Sequence, residues 1–370
     1  MTHSDAPPRL LIVCQGIDGG VAPLSSALAY GLREKGWDCS LLYIGRPATP
    51  VFVQKDRQRG IDSHAIVTGK ARSWAEVWGL IRSVSAVWRV VRDKRPASII
   101  FAGFMPAFLY APFLRLATSA QFVLWDHAPQ NTFLKIKKLV FPVALKGLDR
   151  IVSIAPGTAA AMTEYFGVPA DEVTIIPNGV DPTRWQAIPP ARDLSALRVI
   201  MPARADLNQK DPITLICAAA RLRKQGVDIE VTLVGSGVDE ARVREAIEAE
   251  GAAAFIHSVA TSNDVPSLVA KHNVVCLSTK FEGLPTVVIE GMLARRIVLA
   301  SRVAGCVDVI RDGENGFLFT AGSAEDCAEK LRALTSMPAP QTIIENAYQD
   351  AMTLYAPVAM VENFHRVLAG

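Results

Sequence analysis

Short, continuously apolar segments alternate with helical stretches in both halves of the chain. In the first half, strands are predicted at 9–14, 38–44, 98–103, 121–127 and 150–155. A second series begins at 197–204 and continues at 229–235, 253–259, 273–279 and 296–301. Strand–helix alternation predicts a parallel sheet covered by helices, and unbroken apolar strands suit a sheet buried on both faces. The sequence therefore predicts two doubly wound α/β domains.

The joint between the two series is predicted at 180–196, where proline, asparagine and glycine are concentrated. We expect one domain over 1–182, a second over 183–352, and a C-terminal helix in 353–370 that crosses back to the first domain. Ligands of open α/β sheets bind outside the carboxyl ends of the strands. The loops predicted at those ends are 15–20, 127–131, 204–210, 235–237 and 280–286. Two domains facing across a cleft would bring these loops together.

Charge and cysteine usage exclude several classes of protein. A net charge of +3 over 370 residues gives no basis for a nucleic-acid partner. The six cysteines form no CxxC pair, which is typical of reduced thiols in the cytoplasm, where we expect this chain. The longest apolar stretch, 101–114, contains two prolines and is shorter than the ~20 residues of a membrane span. No metal-binding or P-loop motif is present, so neither a metal nor a cofactor is expected.

The strongest local motif is FEGLPTVVIEG at 281–291, in which seven residues separate Glu282 from Glu290. Pro285 suits the first turn of a helix, which would leave the backbone N–H groups of 284–287 free to bind an anion. Carboxylates beside a phosphate site suit a ligand with several hydroxyl groups, because ionised oxygens accept hydrogen bonds. An ordinary helix start with an acidic first turn remains the alternative.

Two further loops carry candidate residues at predicted strand ends. Arg204 and Lys210 follow the first strand of the second series, where two cations suit a diphosphate, although a solvated loop is the alternative. In the loop at 15–20, Gly19 and Gly20 would let the backbone approach a phosphate or a sugar, although a tight turn is as compatible with the pattern. His127 ends a predicted buried strand, where it is either structural or a hydrogen-bond partner for a reacting sugar.

Taken together, these residues resemble the retaining glycosyltransferases of family 4, which have the GT-B fold of two Rossmann-like domains facing across a cleft. The resemblance is clearest from Asn178 to Phe319 and includes NGVD (178–181), LVGSG (233–237) and DGENGFLF (312–319). After Glu290 the chain departs from the family pattern. Arg295 and Ile297 replace a small residue and a proline, Asp308 replaces a glutamate, and Cys306 lies in a normally plain turn.

The resemblance implies a metal-independent transfer of a hexose-type sugar from a UDP- or GDP-sugar to a hydroxyl of a glycan or lipid-linked acceptor. Arg204 and Lys210 would hold the donor diphosphate, Glu282 the donor sugar, and His127 would lie against that sugar. Glu290 would bind the ribose. The remaining donor-binding positions implied are Gly19, Gly20, Gly235, Gly237, Gly283, Leu284, Pro285, Thr286 and Val287.

Two basic segments with apolar residues, 72–95 and 133–150, suit either a helix packed on the sheet or contact with the inner face of the cell membrane. Two other functions stay open at this point. A sugar-nucleotide epimerase would need acid and base groups around the sugar, for which only His127 is an obvious candidate. A non-catalytic nucleotide-sugar-binding protein would not require the full set of charged residues.

Overall fold

The computed structural model describes residues 6–15, 21–45, 50–67, 74–127, 145, 147–191, 193–260, 262, 264–337 and 339–370. The chain divides into two compact units. Unit 1 comprises Met1–Gly179 and Pro357–Gly370, and unit 2 comprises Val180–Ala356. Each unit is described separately below.

Unit 1 contains a parallel sheet of seven strands in the order β3-β2-β1-β4-β5-β6-β7. Its strands are β1 (Arg9–Gln15), β2 (Asp38–Gly45), β3 (Asp62–Val67), β4 (Ser98–Ala102), β5 (Gln121–Asp126), β6 (Arg150–Ser153) and β7 (Val173–Ile175). Its helices are α1 (Val21–Glu34), α2 (Pro50–Gln58), α3 (Trp74–Lys94), α4 (Phe104–Leu114), α5 (Pro156–Phe166) and, at the end of the chain, α13 (Pro357–Ala369). Apolar side chains of the central strands are almost fully buried, as the unbroken apolar segments predicted.

Unit 2 contains a parallel sheet of six strands in the order β10-β9-β8-β11-β12-β13. Its strands are β8 (Leu197–Pro202), β9 (Ile229–Val234), β10 (Ile256–Val259), β11 (Val274–Leu277), β12 (Ile297–Ser301) and β13 (Phe317–Phe319). Its helices are α6 (Pro212–Lys224), α7 (Ala241–Ala249), α8 (Val265–Ala270), α9 (Thr286–Leu293), α10 (Ala304–Val307), α11 (Ala324–Leu334) and α12 (Pro340–Leu354). The predicted fold class, two Rossmann-like α/β sheets, is confirmed.

The strand order of unit 2 reverses direction between β8 and β11. From β8 the chain adds β9 and β10 on one side, and then returns to add β11, β12 and β13 on the other. Loops that leave the two strands at such a point diverge and leave a crevice at the carboxyl edge of the sheet. The corresponding point in unit 1 lies between β1 and β4.

Helix α6 shows how the sequence sets the elements around this crevice. Asp211 caps the helix by accepting hydrogen bonds from the Thr214 amide at 3.4 Å and the Thr214 hydroxyl at 2.6 Å. Pro212 occupies the first helical position, where its missing N–H costs nothing. The helix therefore begins at a fixed residue, and the loop between β8 and α6 has a defined length.

The C-terminal helix α13 belongs to unit 1 and packs against α1. The Lys35 ammonium donates to Glu362 at 2.7 Å, and the Trp37 indole N–H donates to Nδ1 of His365 at 3.0 Å. Phe364 is fully buried against the Trp125 ring. Among the helices that the structure describes, none has the length and apolar character needed to cross a bilayer.

Candidate active site

Two loops of unit 2, one after β8 and one after β11, join at the carboxyl edge of the sheet. Lys210 and Thr279 pair through an isolated antiparallel bridge. The Asp211 amide donates to the carbonyl of Ser278 at 3.0 Å, and the Lys280 amide donates to the carbonyl of Gln209 at 2.8 Å. These backbone bonds bring together two predicted site residues, Lys210 and Glu282, that are 72 positions apart in the chain.

Lys210 and Glu282 form a buried ion pair in this cluster. The Lys210 ammonium contacts Oε1 of Glu282, and the two side chains are only 13% and 7% exposed. The Thr279 hydroxyl lies 2.9 Å from the same oxygen, and the Gln209 amide nitrogen lies 3.5 Å from Oε2. Because the carboxylate is out of water, its nearby donors define its orientation.

Arg204 lies two residues beyond β8 with its side chain exposed to solvent. Its guanidinium has no hydrogen-bond or ion-pair partner in the part of the chain that the structure describes. The predicted pair therefore separates into two roles: Lys210 is bound to Glu282, while Arg204 presents five N–H donors to solvent. An exposed, planar cation at a strand end is suited to a phosphate ligand.

Gly235 and Gly237 hold the backbone near Arg204. Both have positive φ, at 139° and 84°, which favours glycine. A Cβ on Gly235 would come within 2.6 Å of the carbonyl oxygen of Ala203 and 3.1 Å of the Arg204 amide. The two glycines therefore permit close packing of the loop after β9 against the segment that carries Arg204. Their predicted contact with a nucleotide remains a prediction.

The start of α9 differs from the expectation in one respect. Pro285 precedes the helix as its cap residue, with φ −79° and ψ 84°, and the Thr286 amide donates to the carbonyl of Leu284 at 3.0 Å. This is an inverse γ-turn. The expectation of free N–H groups over 284–287 is therefore wrong for Thr286, whose N–H is used within the turn, and Pro285 has no N–H. The amides of Leu284 and Val287 remain as candidates for an anion.

The turn at α10 supports the loop that carries Glu282. A Cβ on Gly305 would overlap the carbonyl oxygen of Gly283 and come within 2.9 Å of the Glu282 carbonyl oxygen. Cys306, one of the departures from the family pattern, is fully buried, and burial raises the pKa of its thiol.

Glu290 is the fifth residue of α9 and is partly buried. Desolvation raises the pKa of its carboxyl to about 7, although the positive charge of Arg184 acts in the opposite direction. Its carboxylate accepts no hydrogen bond from any residue within the described ranges. An acceptor that lacks a protein donor, close to the Glu282 loop, is suited to hydroxyl groups of a ligand.

His127 belongs to unit 1, where it follows β5. Both ring nitrogens are buried without a hydrogen-bond partner among the described residues, and the ring lies 4.3 Å from that of Trp125. Burial lowers the pKa of His127 to about 3, so the imidazole is neutral near pH 7. Gly19 and Gly20 lie outside the described residues.

The sequence did not single out Thr279, Gln209 or Arg184, which surround the two glutamates. Two signals were available: Thr279 is a hydroxyl residue shortly after a buried strand, and Gln209 is an amide residue next to the predicted lysine. No cluster of three or more histidine, cysteine, aspartate or glutamate side chains suited to a metal ion occurs among the residues with described positions.

Comparison with known proteins adds family information to this geometry. Residues 18–184 match the family model described as Glycosyltransferase Family 4, and residues 192–350 match the model described as Glycosyl transferases group 1. A D-inositol 3-phosphate glycosyltransferase of Arthrobacter is 27% identical over 205 residues, which cover 52% of this chain and 49% of that protein. An uncharacterised glycosyltransferase of Haemophilus influenzae is 22% identical over 87% of this chain and 88% of its own length.

The first curated relatives are covered over only 36 to 49% of their own length. Among solved structures, Anabaena HepE in complex with UDP and glucose has a TM-score of 0.80 at 18% identity, over 98% of this chain and 99% of that one. That likeness concerns the fold. The two family models and the paired parallel sheets show that the chain belongs to the GT-B glycosyltransferases of the family 4, group 1 type.

Proposed function

We propose that the protein is a retaining glycosyltransferase that moves a hexose-type sugar from a UDP- or GDP-sugar to a hydroxyl of a glycan or lipid-linked acceptor. The observation that carries the proposal is the Lys210–Glu282 ion pair at the reversal point of the unit 2 sheet, with Arg204 two residues beyond the strand β8 that borders this point. Two cations beside an oriented carboxylate match a ligand that combines a diphosphate with a hydroxyl-rich sugar. HepE, which shares the fold, binds UDP and UDP-glucose.

In this proposal, each charged group meets a different part of the donor. Arg204 binds the diphosphate through its planar guanidinium. The Lys210 ammonium interacts with both Glu282 and the phosphate. Glu282 accepts hydrogen bonds from the sugar, and Glu290 accepts them from the ribose. The amides of Leu284 and Val287 add donors at the start of α9, with Gly283, Pro285 and Thr286 shaping the turn. Gly19, Gly20, Gly235 and Gly237 border the phosphates and the nucleotide.

The charge that develops on the departing nucleoside diphosphate is met by Arg204, Lys210 and the start of α9, so the reaction proceeds without a metal ion. The acceptor hydroxyl attacks the face that the phosphate leaves, and a phosphate oxygen takes the acceptor proton. His127, neutral at pH 7, hydrogen-bonds to the donor sugar and does not act as an acid. A product with inverted anomeric configuration, detected by NMR, would contradict this mechanism.

For the acceptor, we propose a glycan or lipid-linked sugar in polysaccharide or glycolipid assembly at the inner face of the cell membrane. Several apolar side chains on and after α4 are exposed: Met105, Phe113 and Leu116. Helix α3, which contacts α4, forms most of the predicted basic segment 72–95. Most of the other segment, 133–150, lies outside the described residues. Retention of the protein on anionic liposomes during flotation is expected, and the absence of retention would refute the membrane contact.

The first test is a thermal-shift screen of the purified protein against UDP, GDP, ADP and their sugars. A ligand that binds only the folded state raises the melting temperature. We expect a rise with one nucleotide family, followed by sugar transfer from the corresponding donor. Conversion of the donor sugar without any acceptor would identify an epimerase instead. Binding without turnover would identify a nucleotide-sugar-binding protein.

A further inference from the structure

We propose that Thr279, assisted by Gln209, is a positioning residue that fixes the carboxylate of Glu282 so that Oε2 faces the donor sugar. The inference rests on the proposed function, because it assigns a role within the same site. Thr279 touches neither sugar nor phosphate in this account. It acts through Glu282.

The Thr279 hydroxyl has one proton and three acceptors within reach. They are Oε1 of Glu282 at 2.9 Å, the Gln209 carbonyl at 3.1 Å and the Phe281 carbonyl at 3.2 Å. Both carbonyls have another donor. The Lys280 amide donates to the Gln209 carbonyl at 2.8 Å, and the Gln209 side-chain amide donates to the Phe281 carbonyl at 3.2 Å. The proton of Thr279 is therefore available to the carboxylate, which is also the strongest acceptor because it carries charge.

Thr279 is suited to this role because its own position is fixed. The residue is 1% exposed, and its amide donates to Oγ of the buried Ser301 at the end of β12 at 2.9 Å. Its backbone also pairs with that of Lys210. Anchored to the end of β12 and to the loop after β8, Thr279 gives the carboxylate a rigid reference point.

The two oxygens of Glu282 consequently differ. Oε1 accepts from both Lys210 and Thr279, whereas among the described residues Oε2 has only the Gln209 side-chain amide at 3.5 Å, a weak contact. Oε2 therefore retains acceptor capacity for a sugar hydroxyl. When Lys210 turns part of its charge to a bound diphosphate, Thr279 remains as the donor that keeps Oε1 in place.

The test compares Thr279→Val, which removes the hydroxyl at nearly constant volume, with Thr279→Ser, which keeps it. Turnover is measured with UDP-glucose or GDP-mannose, whichever stabilises the wild-type protein, and affinity for UDP or GDP by calorimetry. We expect Thr279→Val to lower kcat by about 10- to 100-fold because misplacing a group near the reacting atoms is costly. Affinity for the free nucleotide stays unchanged, since Glu282 faces the sugar, and Thr279→Ser restores most of kcat.

A matched control is Thr232→Val in β9. It removes a hydroxyl that lies 2.8 Å from Nε2 of His272. We expect this control to change stability without changing kcat. If Thr279→Val does not fold, Gln209→Met replaces it, with a smaller fall in kcat and unchanged nucleotide affinity as the expected result.

Wild-type kcat in Thr279→Val or in Gln209→Met would overturn the inference. An equal fall in kcat in Thr279→Ser and Thr279→Val would also overturn it, because the methyl group rather than the hydroxyl would then matter. A wild-type protein that neither binds nucleotide nor turns over a donor refutes the proposed function itself, and the inference is then refuted with it.

Discussion

Replacing Glu290 by glutamine should stabilise the protein at alkaline pH and leave its stability nearly unchanged at acid pH. Burial raises the pKa of Glu290 in the folded state from its ordinary value of 4.5 to about 7. Below pH 4.5 the carboxyl is protonated in both the folded and the unfolded state, so it contributes no penalty. Between these two pKa values only the unfolded state loses the proton, and the free energy of unfolding falls by about 1.4 kcal/mol per pH unit.

Above pH 7 the full penalty is present, and a shift of this size corresponds to about 3 kcal/mol. In a domain of this length such a change moves the melting temperature by about 6–12 °C. Differential scanning calorimetry of wild type and Glu290→Gln at pH 5 and pH 8 measures the difference. The exposed Glu245→Gln on α7 is the control, for which we expect no pH-dependent difference.

The same titration should couple to nucleotide binding. Ribose hydroxyls donate to an ionised carboxylate, so binding is expected to release the Glu290 proton near pH 7. The Kd of wild type for UDP or GDP should then weaken by about fivefold from pH 7 to pH 6, because half of the carboxyl is already protonated at pH 7. In Glu290→Gln this dependence disappears. For Glu290→Gln, a gain in stability over wild type that is equal at pH 5 and pH 8, or a loss of stability at pH 8, would refute the reasoning.

Three other predictions concern the supporting structure and the chemistry. Gly305→Ala should lower both the melting temperature and kcat, by about 1–3 kcal/mol in stability, because its Cβ meets the backbone beneath Glu282; unchanged calorimetry would contradict this. The contribution of His127 to the free energy of unfolding should fall by about 1.4 kcal/mol per unit as the pH drops from 6.5 towards 3, opposite in sign to that of Glu290, because the pKa of His127 is lowered in the folded state. His127→Met should lack this contribution, which is measured as the difference in the free energy of unfolding between the two proteins in urea titrations. Turnover should be unaffected by EDTA, and recovery only on adding Mg²⁺ would refute metal independence.

The fold was predictable because unbroken apolar segments identify buried parallel strands. The strands β1, β2, β8 and β12 lie within a residue or two of the predicted segments. The strand β3 (DSHAIV) was not predicted, since polar residues begin it and no long apolar segment marks it. The strands β7 and β13 have three residues each, which is too short for a periodic signal.

The candidate site was predictable in its charged residues and not in the residues around them. Glu282 and Lys210 were identifiable because carboxylates and cations at strand ends are informative by residue type alone. The contacts of Gln209 with Thr279 and Glu282 depend on the backbone pairing of two loops about 70 positions apart, which the sequence does not display. The burial of Glu290 likewise depends on tertiary packing.

Part of the motif pattern is structural. In DGENGFLF, Oδ1 of Asp312 accepts from the Leu318 amide at 3.0 Å. The buried Asn315 donates to the Val309 carbonyl at 3.2 Å and to Asp350 at 2.7 Å. These bonds fix the turn that leads into β13. These residues of the motif therefore have a structural role in unit 2.

Calorimetric titration of wild type and Arg204→Ala with UDP and GDP tests whether Arg204 binds the diphosphate of a nucleotide-sugar donor. Arg204 is the exposed cation at the reversal point of the sheet, without a protein partner in the described structure. We predict that wild type binds one of the two nucleotides and that Arg204→Ala weakens this binding by at least about tenfold, with an unchanged melting temperature of the free protein. Equal affinity in the two proteins, or no binding of either nucleotide to wild type, would contradict the account.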